Sequence, residues 1–519
     1  MGAALTAVRG SSLRVVGMIS TTLVGIFMMP FLIHSLGDRI YGFWALAGTF
    51  LGYYGLLDLG IVSAVQFYVA KALGEEDPTA ANRAISTAFY AFAALGLAVA
   101  LATVFVAFLA PLFVHSASEA GLFRKVIWIT GIGVAVGFPG RAFIGAISAS
   151  LRWDLISSVG LGVLVLRTVL IVLAIKAGAG IVGLAAITVL ADIVTYVCYY
   201  LVLRDIHDYF RLSLALASIH SLKEVLRYSG FTLLVNVSDQ LKFYVDVLVV
   251  AAILSVSAVT HYAIASRLTF TYRGLMIAIF GILSPIFSQL LGSKNAPQMK
   301  RVFELTTKLS TATAALIVCG MILYGRRMIE LWMGKDYLDA YWPLLFLATG
   351  TFFEIAQIPS VAYMYGVSRH HFLAYVNLFE GTANLVLSLY LGRLYGMKGV
   401  ALGTLIPMLV VWLFVQPVYV CRKMDISAAT FYLRLFGRPA VVTCAAMFLP
   451  WLLLFQRMGQ ATLASFAACA TCQAIIGFGA VYLFVLGREE RDWVAQTLIP
   501  VRVRSAVTGT AEPKVESLT

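Results

Sequence analysis

A chain of 519 residues with 61% hydrophobic and only 12% charged residues cannot cover its own surface for water. Soluble domains carry roughly 25% charged residues, so about half of the usual polar coat is missing; with a mean hydropathy of +0.90, lipid is the solvent. The formal charge of +13 reads as the Lys/Arg excess that membrane proteins keep on the cytoplasmic side, which removes nucleic acid as a partner.

Apolar runs of the length that a ~30 Å hydrocarbon core asks of a helix follow one another along the chain. They lie at 12–35, 40–66, 84–113, 122–149, 154–175, 180–203, 224–254, 258–290, 304–325, 338–366, 369–392, 397–420, 436–456 and 461–486. Backbone groups have no water partner in lipid, so each run is predicted to be helical, and the alternation of barrel strands is absent. The fold class is therefore an all-α polytopic membrane protein of about fourteen transmembrane helices. The first run is too long for the apolar region of a signal peptide, and His34–Asp38 does not resemble a cleavage site. Pro30, Pro285, Pro359 and Pro407 fall within or near the ends of runs, and Gly131, Gly133, Gly137 and Gly140 crowd the fourth. Such residues either bend helices for moving lobes or mark ordinary close packing.

The longest connection, 204–223 (RDIHDYFRLSLALASIHSLK), mixes apolar residues with Arg, Asp and His and reads as an amphipathic helix on the cytoplasmic face. It separates an N-lobe of six helices (1–203) from a C-lobe of six (224–420), followed by a helix pair (421–487) and a polar tail (488–519) without periodicity. The lobes look repeated. Gly180, Gly183, Ala185 and Thr188 recur as Gly396, Gly399, Ala401 and Thr404 at an offset of 216, and Tyr41 pairs with Tyr262 at an offset of 221. Both lobes start on the same side, so the repeat is parallel, with its axis along the membrane normal. With the N-terminus inside, cytoplasmic segments hold 22 Lys/Arg, the opposite loops 10, and the spans six; both termini are expected in the cytoplasm. Cys469 and Cys472 form a CxxC on one apolar helix, which is read as packing rather than redox or metal chemistry.

Two segments carry a family likeness. LGDRIYGFWALAGTFLGYYGLLDLG (36–60) and VNVSDQLKFYVDVLVVAAILSVSAVTHYAIASRLTF (235–270), with Asp246, Tyr262 and Ala263, resemble the signatures that open the two lobes of the polysaccharide-exporting flippases. These are the O-antigen flippase-type members of the multidrug/oligosaccharidyl-lipid/polysaccharide (MOP) exporter superfamily, and the likeness extends over about 10–485. It implies a twelve-plus-two helix secondary transporter in a bacterial inner membrane. By alternating access it would carry an undecaprenyl-pyrophosphate-linked oligosaccharide from the cytoplasmic to the periplasmic leaflet, for cell-surface polysaccharide synthesis. Polyprenyl-pyrophosphate-linked oligosaccharide and membrane lipid are the implied partners, with the polysaccharide polymerase and export machinery as candidate protein partners. One departure is that the first run has no Arg or Lys beyond Arg14, whereas the peptidoglycan lipid flippases of the superfamily usually carry arginines there.

Six basic residues lie within spans: Arg141, Arg167, Lys242, Arg267, Arg273 and Lys308. Each costs roughly 2.5–3.5 kcal/mol at the centre of a lipid-facing helix, so they must line a polar cavity, pair with acids or snorkel. Lys308, about a turn from a span end, snorkels. Lys242 has Asp239 and Asp246 at −3 and +4 on one helical face, so pairing and substrate contact stand side by side. Arg141, Arg167, Arg267 and Arg273 have no acid one turn away and are read as cavity-lining residues that grip a pyrophosphate, to which Arg offers a bidentate fork. The substrate-binding set is thus Arg141, Arg167, Lys242, Arg267 and Arg273, and Asp58, Asp246, Glu354 and Glu380 are the candidates for ion coupling. Glu380 belongs to a stripe with Asn377, Asn384 and Ser388 that either lines the cavity or hydrogen-bonds helix to helix. No catalytic motif, metal-ligand spacing or cofactor signature is present, so no enzyme activity, metal or cofactor is expected. A multidrug or cation antiporter of the same fold is the alternative, and should show twelve helices and an acidic cavity. A polytopic glycan polymerase or ligase is the other, and would need a larger loop than the dozen or so residues near 114–121 and 326–337.

Overall fold

Lipid leaves helix as the way for a single segment to satisfy its own backbone, and the computed structural model of the chain is built accordingly. It describes residues 2–114, 116–218, 222–223, 237–242, 244–367, 370–455 and 462–491, and no strand occurs among them. In chain order the main helices are α1 (Gly2–Leu36), α2 (Asp38–Tyr54), α3 (Ile61–Gly74), α4 (Pro78–Phe108), α5 (Ala117–Gly137), α6 (Arg141–Ala149), α7 (Trp153–Lys176), α8 (Gly180–Ile206), α9 (Val245–Ile253), α10 (Val256–Phe280), α11 (Leu283–Gly292), α12 (Ala296–Trp332), α13 (Tyr341–Ala356), α14 (Ile358–Gly366), α15 (His370–Tyr395), α16 (Met397–Leu409), α17 (Gln416–Met424), α18 (Arg438–Pro450) and α19 (Leu463–Ala480).

Among the described residues twelve helical stretches are long and apolar enough to cross a membrane, and the pair α13–α14, bent by 42°, makes a thirteenth. Each coincides with one predicted run. The remaining run, 224–254, begins with residues 224–236, which lie outside the described residues; its described part is helical at 237–242 and in α9. The multi-pass helical membrane fold expected from hydropathy is therefore the observed one, with the count of about fourteen approximate to that extent.

The second, fourth, eighth and tenth spans are each interrupted. The second breaks between α2 and α3 at a 3-10 turn, Gly55–Asp58, followed by Leu59 (φ 53) and Gly60 (φ 75). Left-handed Leu59 is the unusual member, because a Cβ makes that conformation costly. The fourth breaks at Phe138–Gly140, the eighth at Gly281–Ile282 and the tenth at Gln357. Beyond the breaks α3 packs along α6, and α11 along α14. Gly145 on α6 lies so close to Val62 and Val65 of α3 that a side chain there would force the helices apart.

By internal packing the chain forms two compact units. The first comprises Met1–Thr271, Trp332–Leu347 and His371–Pro407, and the second Tyr272–Leu331, Ala348–His370 and Met408–Thr519. Inside the first, α1 packs along α7, α7 along α8, and α4 along α5, around a core that includes Phe92, Phe138, Phe143 and Tyr54. Inside the second, α18 packs along α19 and α14 against α17, and Phe436 meets both Phe352 and Phe353.

The linker differs from expectation. Residues 207–218 after α8 form not an amphipathic helix but a largely extended strap with one 3-10 turn at Leu214–Leu216, while 222–223 are helical. The strap lies on the start of α4. Asn82 Nδ2 donates to the Tyr209 carbonyl (2.8 Å) while its Oδ1 accepts from Arg211 N (3.1 Å), and Ser86 Oγ and Thr87 Oγ1 accept from Ser213 N and Ser218 N. Phe210 is buried, ring to ring with Phe143 and Tyr200. Side-chain partners on α4 thus replace the helical ladder that the spacing of apolar residues suggested. Residues 219–221, and 492–519 of the expected tail, lie outside the described residues.

Candidate functional site

The cost of a charge in lipid makes its partners the first question, and for the six intramembrane cations the answers divide sharply. Lys242 Nζ lies 2.9 Å from Glu380 Oε1, with side-chain exposures of 2% and 1%. Arg273 Nε lies 3.2 Å and 3.3 Å from the two carboxylate oxygens of Glu354. Arg141 Nη1 is 3.8 Å from Asp58 Oδ2, with its guanidinium 4.3 Å from the Phe138 ring centre. Lys308 lies well inside α12, not at its end, and its Nζ reaches Glu490 at 2.8 Å, so pairing accounts for it. Arg141 and Arg273, for which no acid one turn away is present, therefore do have acids, supplied by other helices. For Lys242 an acid at 2.9 Å is Glu380, reached across to α15, where Gly381 allows the chain at Leu241 to come close.

Asp246 belongs to a separate buried network. Its Oδ2 accepts from Tyr262 OH (2.6 Å) and Thr404 Oγ1 (2.7 Å), and its Oδ1 from Asn384 Nδ2 (3.1 Å). Ser388 Oγ donates to Asn384 Oδ1 (2.7 Å) and Asn384 Nδ2 to the Lys242 carbonyl (3.2 Å). The stripe Glu380-Asn384-Ser388 is thus hydrogen-bonding glue between helices. Asp246 has no cation within 4 Å among the described residues, and its oxygens meet neutral donors. Asp58 also accepts from Val62 N, at the first turn of α3.

Arg167 on α7 and Arg267 on α10 are the two intramembrane cations with no carboxylate within 4 Å among the described residues. Both line one cavity of about 290 Å³ in the first unit, together with Thr21, Gly25, Tyr41, Trp44, Thr168 and Thr188. The Nε of Arg267 is buried without a hydrogen-bond partner. An unmatched buried donor costs about 1–3 kcal/mol, so this cavity holds unspent capacity to bind an acceptor. The three threonine hydroxyls donate to carbonyls one turn back at 2.7–2.8 Å, which leaves their lone pairs as acceptors on the wall. The lining is cationic with aromatic and hydroxyl patches, and among its residues there is no carboxylate.

The sequence reading thus named the two arginines that converge and missed Gly25, Trp44 and the threonines, whose kinds are common in any membrane helix. Of the aromatic residues near the first motif, Tyr54 is buried in the core and bonded to Thr103, and Tyr68 packs against that core. The CxxC splits into a buried Cys469 and an exposed Cys472, while the close thiols are Cys319 and Cys444, with sulfurs 3.3 Å apart.

Comparison with known proteins now decides the family. A family described as "Polysaccharide biosynthesis protein" matches residues 36–342, more than half of the chain and both segments that carry the sequence likeness. The chain belongs to that family. A curated relative, "Putative O-antigen transporter" of Shigella flexneri, is 21% identical over 436 residues, covering 80% of this chain and 98% of its own. Among solved structures, an inward-facing multidrug resistance MATE family transporter of the MOP superfamily superposes with a TM-score of 0.64 at 16% identity, covering 80% of this chain and 98% of its own. The lipid II flippase MurJ, in an inward closed conformation, superposes with a TM-score of 0.60 at 15% identity over 96% of this chain and 98% of its own. The fold is the one these solved MOP-superfamily transporters share.

Proposed function

We propose that the protein is a secondary transporter, not an enzyme, that flips a polyprenyl-pyrophosphate-linked oligosaccharide from the cytoplasmic to the periplasmic leaflet of a bacterial inner membrane. The observation that carries this reading is the partition of the intramembrane cations. Arg141, Lys242, Arg273 and Lys308 are each matched by a carboxylate, whereas Arg167 and Arg267 stand together on an acid-free cavity wall. Two guanidinium forks in a low-dielectric cavity suit two phosphates; a cation exporter needs the opposite charge. The pyrophosphate grip is assigned to Arg167 and Arg267, and ion coupling to Asp246, the buried carboxylate whose partners are all neutral. Arg141, Lys242 and Arg273 take supporting positions in this scheme, with Asp58, Glu380 and Glu354 as their counter-ions.

The lobes at 1–203 and 224–420 provide alternating access. Their kinship is supported by the breaks in the second and fourth spans, which return in the eighth and tenth at Gly281 and Gln357. With both termini cytoplasmic, a cysteine at Ser118 reacts with an impermeant thiol reagent added outside and one at Ser293 does not, in a background without native cysteines.

The deciding experiment is reconstitution in liposomes with a defined undecaprenyl-pyrophosphate oligosaccharide. Arg167→Glu and Arg267→Glu should each abolish flipping while the protein stays folded, and Arg→Lys should restore part of it. Near-normal flipping by both Glu variants would overturn the grip. Asp246→Asn should leave flipping insensitive to an imposed ion or pH gradient, and a retained gradient response would remove Asp246 from coupling.

A further inference from the structure

A guanidinium can be aimed only if the rest of its side chain is held, and among the described residues Arg267 makes no ion pair that would hold it. What lies against it is backbone. Its guanidinium rests on α1 at Gly25, and a methyl group built there would overlap Nη2. Any side chain at position 25 moves the end of this arginine out of its place against α1.

The next residue explains why α1 keeps its shape at this contact. Pro30 lies inside α1 and has no N–H, so the carbonyl of Ile26, four residues earlier, loses its helical donor. That carbonyl is not left bare: Trp332 Nε1, at the end of α12, donates to it at 2.9 Å. A proline that unmakes one helical bond and an indole that replaces it lie on the residue adjoining the glycine. Gly25, Pro30, Trp332 and Arg267 all belong to the first unit.

We infer that Gly25 and Trp332 are positioning residues for Arg267, forming with the Ile26 carbonyl freed by Pro30 a preassembled seat that turns the guanidinium into the cavity. Neither residue needs to touch the transported molecule. The glycine supplies space over the backbone, and the indole fixes the piece of α1 on which the guanidinium lies. Preorganisation of this kind lowers the ordering cost of binding. The inference deepens the proposed pyrophosphate grip and rests on that reading for its effect on transport, though not for the seat itself.

Two double-mutant cycles test it, in full-length protein reconstituted in liposomes with a lipid-linked pyrophosphate oligosaccharide as probe. In the first, Gly25→Ala should slow flipping about tenfold or more, the factor expected when a charged hydrogen bond is misplaced, and should add nothing in an Arg267→Gln background. In the second, Trp332→Phe, which keeps an aromatic ring but lacks the donor, should weaken apparent substrate affinity more than maximal rate. Pro30→Ala restores an N–H for the Ile26 carbonyl, so in that background Trp332→Phe should lose most of its effect. Equal effects of Trp332→Phe with and without Pro30, or an undiminished effect of Gly25→Ala in the Arg267→Gln protein, would overturn the seat.

Thermal melting of the purified protein separates the seat from the grip. Gly25→Ala should lower the melting temperature of the wild type but not of Arg267→Ala, which removes the atoms the methyl meets. Equal lowering in both backgrounds overturns the seat whatever transport does. A melting cycle as expected, combined with flipping indifferent to Arg267→Gln, upholds the seat and overturns the pyrophosphate grip.

Discussion

Lys242 and Arg267 are both cations inside the membrane, yet they sit in opposite kinds of place. Lys242 is sealed, with a carboxylate at 2.9 Å and exposures of 2% and 1% across the pair. Arg267 opens on a cavity, is seated on bare backbone and keeps a buried Nε without a partner. The contrast teaches that intramembrane charge serves two ends that composition cannot tell apart. A matched charge fixes helices to each other, and its loss is felt in stability. An unmatched charge leaves binding capacity for something that arrives, and its loss is felt in transport.

Ranking the cations by stability should therefore give an order that transport reverses. The largest effect belongs to Lys242→Met, which leaves Glu380 buried without its counter-ion and should destabilise the protein by about 3–5 kcal/mol. Lys242→Met combined with Glu380→Leu should regain most of that loss, because removing both charges also removes their desolvation. Thermal melting in detergent reads both, and a double variant no better than the single one would mean that the pair does more than neutralise itself.

Next comes Arg273→Gln. Glu354 is largely buried, and the loss of two charge-assisted hydrogen bonds should cost about 1.5–3 kcal/mol in the same assay. Lys308→Gln should cost about as much as Arg273→Gln, since Lys308 Nζ donates to both oxygens of Glu490 at 2.8 and 3.1 Å and both side chains are largely buried. Arg141→Gln should cost less, since 3.8 Å to Asp58 is beyond hydrogen-bond reach and both side chains are about a quarter exposed. Exchange of the pair, Asp58→Arg with Arg141→Asp, should recover more expression than either single change, and failure to do so would show that Asp58 is needed chiefly at the start of α3.

Smallest of all should be Arg267→Gln and Arg167→Gln, which break no ion pair among the described residues and should leave the melting temperature within about a degree, in keeping with the few tenths of a kcal/mol of an unconstrained substitution. These same two should lose the most transport. If either melts early, it is a structural cation and the contrast with Lys242 fails.

How much of this was legible follows from the range of the forces involved. The spans were readable in order because bilayer thickness sets their length, and each run announces itself locally. The partners were not, because a carboxylate 81 residues away in sequence, as Glu354 is from Arg273, leaves no mark near its cation. The local rule offers Asp239 and Asp246 a turn from Lys242 but not Glu380 on another helix, and Asp246 bonds Tyr262, Thr404 and Asn384. The stripe from Glu380 to Ser388 was visible as one face of a helix, but whether that face met a cavity or another helix depended on packing. Gly25 was unreadable for the same reason. Only Pro30 carried a usable sign, since a proline in a membrane helix always leaves a carbonyl four residues earlier in need of a donor.

The strap at 207–218 has a consequence for the order of events during synthesis. Its hydrogen bonds run back to Asn82, Ser86 and Thr87 on α4 and its Phe210 inserts beside Phe143, so everything it fastens to has left the ribosome before it does. The first six spans thus carry their own closing clip and can be locked together while the remaining spans are still being translated. A nascent chain stalled far enough beyond residue 218 for the strap to have left the ribosome should resist protease at α4, and one stalled before the strap emerges should not.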